Sequence, residues 1–149
     1  MVDIVYTPIS KYSSELNTPI YKTNFFSALA LYGNRKCIEG SKSGTGTSKF
    51  YTVPAGKTLF IVTTYLTATT NATGQSRITI NDPTITDVYV LNILRVYENT
   101  CLTSIENFSI PIRVSSGETL WLYTQDATGY TLGGIVGYEL DTATLGTYS

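Results

Sequence analysis

The sequence predicts an all-β protein, a single-domain antiparallel β-sandwich of jelly-roll type with about eight strands. Three observations predict it. The chain of 149 residues holds 25 Thr and 12 Tyr but only 14% charged residues, and branched and flat side chains suit a pleated, half-buried surface. From Lys49 onward, apolar runs of strand length alternate with Gly, Pro, Asn and Asp turn signals. A phrase also returns: "VPAGKTLFIV" at 53–62 aligns with "VSSGETLWLY" at 114–123 at an offset of 61. A two-hairpin repeat suits the two Greek keys of a jelly roll, although tight hairpins in general favour the same pattern.

Residues 1–19 carry Pro8 and Pro19 and no sustained periodicity, which reads as an extended arm; residues 20–149 form the sandwich. "IYKTNFF" at 20–26 suits a first strand. "FFSALALYGN" at 25–34 suits either a helical turn stopped at Gly33-Asn34 or a strand. "EGSKSGTGTS" at 39–48 reads as a flexible loop. "KFYTV" ends at Pro54-Ala55-Gly56-Lys57, with proline presetting φ and glycine free to take positive φ. The long strand "TLFIVTTYLTATT" places Phe60, Val62, Leu66 and Ala68 on one face. "QSRITIND" puts Ile78 and Ile80 on one side and Arg77 on the other. "DVYVLNILRVYEN" is apolar on both faces, so it lies between layers or under a neighbouring subunit. Pro111 marks an edge strand or a bulge, because proline cannot donate to a ladder. Gly133, Gly134 and Gly137 in the last strand allow close backbone approach or a bulge.

Two triplets face away from the simple alternation and need cover: Leu59, Ile61 and Tyr65 in one strand, and Tyr89, Leu91 and Ile93 in the other. They are the candidate interface or second-layer face. Cys37 and Cys101 are the only cysteines. They are candidates for one disulfide, or for two separate buried thiols. Asn71 begins a glycosylation sequon on a turn; the sequon at Asn107 begins a strand and is the less accessible.

Catalytic chemistry finds little support. The chain has no histidine, which removes the commonest general base and metal ligand, and no cofactor or metal site is expected. The acid pairs Asp82/Asp87 and Glu139/Asp141 fall at strand ends, where carboxylates are usually solvated. No enzyme activity is expected. "SKSGTGTSK" lacks the spacing of a phosphate loop. A net charge of −1 argues against direct nucleic-acid capture. No secretory signal and no stretch long and apolar enough to be a transmembrane segment is visible. Tyr65, Tyr89, Tyr97, Trp121, Tyr123 and Tyr138 could line a carbohydrate platform, but rings at strand positions also fill cores and interfaces.

The phrases "FYTVPAGKTLFIVTTYLT", residues 50–67, and "IPIRVSSGETLWLYT", residues 110–124, resemble hairpins of small virion β-sandwich proteins. These are single jelly-roll capsid proteins and decoration or fibre proteins of phages and archaeal viruses, and the resemblance covers residues 49–140. It implies a capsid or virion structural protein located in the virion and made in the host cytoplasm. It also implies a homo-oligomer whose partners are copies of itself and other virion proteins. The arm 1–19 departs from capsid proteins whose basic arms bind the genome. The alternative is a receptor- or carbohydrate-binding β-sandwich module.

Overall fold

The computed structural model describes residue 29 and residues 33–70, 73–85, 88–97, 100–125 and 129–145. The arm, the strand expected at 20–26 and the sequon at Asn71 lie outside the described residues. Leu29 is helical and fully buried, and its carbonyl accepts the Gly33 N–H at 2.7 Å. Eight strands follow: β1 Asn34–Ser43, β2 Gly46–Thr52, β3 Lys57–Thr70, β4 Gly74–Ile80, β5 Tyr89–Val96, β6 Thr100–Val114, β7 Thr119–Thr124 and β8 Tyr130–Asp141. A short 3-10 turn, Thr142–Leu145, comes after β8.

The strands form two four-stranded antiparallel sheets. Sheet A has the order β1-β8-β3-β6, and sheet B the order β2-β7-β4-β5. This is the strand order of a jelly roll. Only β4 and β5 are consecutive strands paired in one sheet. The two repeated phrases are therefore not hairpins: each carries the chain from one sheet to the other. Their turns nonetheless match closely. Lys57 N–H reaches Pro54 O at 3.1 Å and Glu118 N–H reaches Ser115 O at 3.1 Å, with φ of +74° at Gly56 and +84° at Gly117. Positive φ at the third turn residue favours glycine there. Pro54 takes the first turn position, not the φ-presetting second one. The two corners also lie side by side, because Val53 N–H donates to Glu118 O and Gly117 N–H to Val53 O, both at 2.9 Å.

The loop expected at 39–48 is strand instead. β1 and β2 fill most of it, leaving a turn at Gly44-Thr45. Gly40 lies opposite Gly133 in the β1–β8 ladder, and a side-chain carbon at Gly40 would come within 2.4 Å of Phe50 Cβ. Small residues here serve close packing rather than flexibility.

The core fills the space between the sheets. Leu59, Ile61 and Leu66 of β3 meet Ile78 and Ile80 of β4 and Leu120 and Leu122 of β7, with Ile135 of β8 and the corner residues Val53 and Val114. Each such buried side chain stabilises the fold by about 1.5–3 kcal/mol relative to exposure. Towards the other end the interior is polar: Thr131 Oγ1 lies 2.7 Å from both Ser76 Oγ and Thr124 Oγ1.

Three bulges reset which way side chains point. The ladders shift at Lys49/Tyr51 in β2, at Ile61/Thr63 in β3, and between Ile78 and Thr79 opposite β5. An extra residue inverts the alternation beyond it. Phe60 therefore does not share a face with Leu66 and Ala68. It points away from the core and is fully buried on the outer side of sheet A. Pro111 lies in edge strand β6 where the β3–β6 ladder is interrupted, as its sequence position suggests.

Candidate functional site

The outer face of sheet B is built by simple alternation. Leu120 and Leu122 enter the core, so Trp121 and Tyr123 face outward on β7. Antiparallel register sets Lys49 opposite Trp121 on β2, Arg77 opposite Tyr123 on β4, and Ile93 opposite Arg77 on β5. The Arg77 guanidinium stacks over the Tyr123 ring at 5.4 Å from its centroid. Gln75 Oε1 holds the same group, accepting from Arg77 Nε at 2.8 Å and also from Nη2. The indole N–H of Trp121 donates to Thr119 Oγ1 at 2.7 Å, which fixes the ring. Thr79, between Trp121 and Val90 in register, is fully buried. β2, β7, β4 and β5 hold Lys49, Arg77 and Arg95 and no Asp or Glu, in a chain with 11 acidic residues.

A second surface runs along the side of the sandwich where edge strands β5 and β6 touch across the layers. Among the described residues, eight of the nine exposed large apolar side chains fall between 85 and 110. They include Tyr89, Ile93 and Tyr97 at 56%, 49% and 64% exposure, and Ile105 and Ile110 at 62% and 79%. At one end of this side, a cleft of about 340 Å³ is lined by Ile80, Asn81, Tyr89, Pro111, Ile112, Arg113 and Glu118.

The carboxylates of the two acid pairs that the structure describes, Asp82, Glu139 and Asp141, are engaged. Asp82 Oδ1 accepts from the N–H and hydroxyl of Thr84 at 2.9 and 2.8 Å. Glu139 is buried between the sheets, accepts the Tyr51 hydroxyl, and has Lys36 Nζ at 3.6 Å. Burial first, then the bond to Glu139, raises the Tyr51 phenol above its ordinary range. Asp141 pairs with Lys57 at 2.6 Å, and that bond raises the Lys57 ammonium pKa. Asp87 lies outside the described residues.

The six residues expected to need cover do not share a face. Leu59, Ile61 and Leu91 are in the core, covered by the opposite sheet, while Tyr89 and Ile93 stay exposed at the β5 edge. Tyr65 lies on the outer face of sheet A. There it crosses Gly134 and donates to Glu39 Oε2 at 2.6 Å. Burial and that bond push its phenol up to about 12. The platform aromatics separate in the same way, Trp121 and Tyr123 on sheet B, Tyr65 and Tyr138 on sheet A. The two-faced strand is β5, an edge rather than a central strand.

Cys37 and Cys101 are exposed free thiols, not buried and not bonded to each other. They sit on opposite edges of sheet A, three strand spacings and six residues apart in register. That separation is on the order of 25 Å, far beyond the reach of a disulfide. Asn107 is exposed on β6 and accepts from Thr63 Oγ1 at 2.9 Å. Sequence reasoning did not bring Lys49 and Arg77 to the aromatic pair, because only the register of the three neighbouring strands β2, β7 and β4 does so.

These features define a jelly-roll β-sandwich with an aromatic face whose four strands carry no acidic residue, and an apolar edge. No family model matches the chain, and no curated protein is similar to it. Among solved structures it is similar to a family 6 carbohydrate-binding module, at 16% identity and TM-score 0.35 over 68% of this chain and 71% of the other. It is also similar to Eiger TNF from S. frugiperda, at 10% identity and TM-score 0.35 over 70% and 87%. A third likeness is to the capsular polysaccharide assembling protein CapF from Staphylococcus aureus, at 10% identity and TM-score 0.26 over 70% and 24%. At these scores none of the three assigns a ligand or partner to this chain.

Proposed function

We propose that the chain is a self-associating structural protein of a virion, most specifically a shell or surface subunit. The observation that carries self-association is the concentration of exposed apolar side chains along β5 and β6. Among the described residues, each of these strands has a neighbour on one side only within its sheet, and an unpaired strand edge is a template for another chain. Large exposed apolar patches mark interaction sites, and a low charged fraction of 14% weakens repulsion between copies. The virion role rests on the resemblance of residues 50–67 and 110–124 to virion β-sandwich proteins. In that role the copies meet each other and other virion proteins.

Sedimentation of the purified chain at rising concentration tests assembly. Large homo-oligomers are expected, and Ile105→Lys with Ile110→Lys should return them to monomers. A strict monomer at high concentration overturns the reading. Electron microscopy of particles from the native source tests the virion role, which requires many copies tiling or decorating one shell. The second reading, a receptor- or carbohydrate-binding module, is favoured by one observation: Trp121 and Tyr123 side by side on an outer sheet face with Arg77.

A further inference from the structure

We propose that the outer face of sheet B binds a carboxylated saccharide, with Trp121 stacking against a pyranose ring and Arg77 and Lys49 taking its carboxylate. This deepens the second reading and does not depend on assembly through β5 and β6. The charge distribution carries it. Sheet A mixes four acids, Glu39, Glu106, Glu139 and Asp141, with five cations, whereas the four strands of sheet B hold three cations and no acid. The chain as a whole is net −1, so this face is a local reversal of sign.

The donor set selects the ligand. Arg and Lys offer only donors, which match an acceptor-only carboxylate, and a guanidinium can grip both of its oxygens. A neutral sugar presents hydroxyls that also need acceptors, and no carboxylate on these strands supplies them. Arg77 is held in place before any ligand arrives, by Gln75 on its Nε side and by the Tyr123 ring beneath it. Pre-ordering of this kind lowers the entropic cost of binding. Trp121 is locked by its bond to Thr119. Lys49 lies directly opposite Trp121 on one side, and Arg77 lies diagonally across on the other. Diagonal neighbours in a sheet are about 7–8 Å apart, which a single sugar ring with its carboxylate can bridge. A single-stranded nucleic acid also uses rings and cations, but it needs a track of cations following its backbone. Here two cations, Lys49 and Arg77, flank one indole, while Arg95 lies opposite Gln75, two strands and four register positions from Trp121, on the order of 16 Å away. A pair of cations beside one ring suits a single carboxylated ring rather than a long backbone.

Trp121 is the only tryptophan, so intrinsic fluorescence reads this site directly. The full chain is titrated with trigalacturonate, its methyl ester, sialyllactose and an oligothymidine. A saturable change is expected with at least one of the two carboxylated sugars. Loss of one charge-assisted contact in Arg77→Gln should weaken it about tenfold or more, and Lys49→Gln should weaken it in the same direction. Arg35→Gln, on the outer face of sheet A, should leave it unchanged. No response to either carboxylated sugar overturns the proposal. So does equal binding of the methyl ester, a tighter response to oligothymidine, or indifference to Lys49→Gln, an exposed site that should fold normally. A monomeric chain that binds these sugars would reject the assembly reading and keep this one.

Discussion

Gly133 faces the interior of the sandwich, where a methyl group has no room. A Cβ there would lie 2.9 Å from Leu122 Cδ2, 3.0 Å from Leu66 Cδ1 and 3.2 Å from Ile78 Cδ1, against 3.4–4 Å for ordinary contact. Three core side chains from β3, β4 and β7 must give way at once, and overpacking of this kind costs about 1–3 kcal/mol. Removing a flexible glycine from a strand returns roughly 0.5–1 kcal/mol. Gly133→Ala is therefore expected to destabilise by about 1–2 kcal/mol. Leu122→Ala alone should cost about 2–5 kcal/mol through its cavity. Together the two should cost less than their sum, since the new methyl occupies part of that cavity, with a coupling of about 0.5–3 kcal/mol. Urea unfolding at constant m measures all three variants. A Gly133→Ala protein that is more stable than wild type, with effects that add to those of Leu122→Ala, would refute this packing of sheet A on sheet B.

Two further outcomes follow from the outer face of sheet A. Folding raises the Tyr65 phenol from 10.0 to about 12. Its contribution to stability is thus complete below about pH 10 and is lost as pH climbs through about 12. Tyr65→Phe should flatten the fall in stability between about pH 10 and about pH 12, measured by urea melts, and an unchanged slope would count against the Glu39 contact. Cys37 and Cys101 should both react with a soluble thiol reagent in the native protein, giving two thiols per chain; a chain with none accessible under non-reducing conditions would contradict the register of sheet A.

Much of the architecture is legible in the sequence because turn chemistry is local. Gly56 and Gly117 announce positive φ, and Pro111 announces a ladder it cannot join. Gly133, Gly134 and Gly137 of β8 signal either close approach or a bulge, and the neighbours crowding all three decide for close approach. The facing of individual side chains is less legible. Simple alternation groups Phe60 with Leu66, yet the bulge after Ile61 separates them. It also groups Leu59, Ile61 and Tyr65, of which only the first two reach the core. Alternation determines direction only along an uninterrupted ladder, and nothing within one strand reveals where its neighbours force an extra residue.

By itself, then, the sequence determined the β class, the approximate strand count and the two matching corners. Those properties depend on residues within a few positions of one another. The tertiary structure alone decided that the corners join different sheets, that β5 is an exposed edge, and that the two cysteines lie far apart. It alone gathered Lys49, Trp121, Tyr123 and Arg77 from three strands onto one outer sheet face. Each of these depends on which strands become neighbours and in what register, and pairing between distant segments is settled by packing the whole sandwich at once.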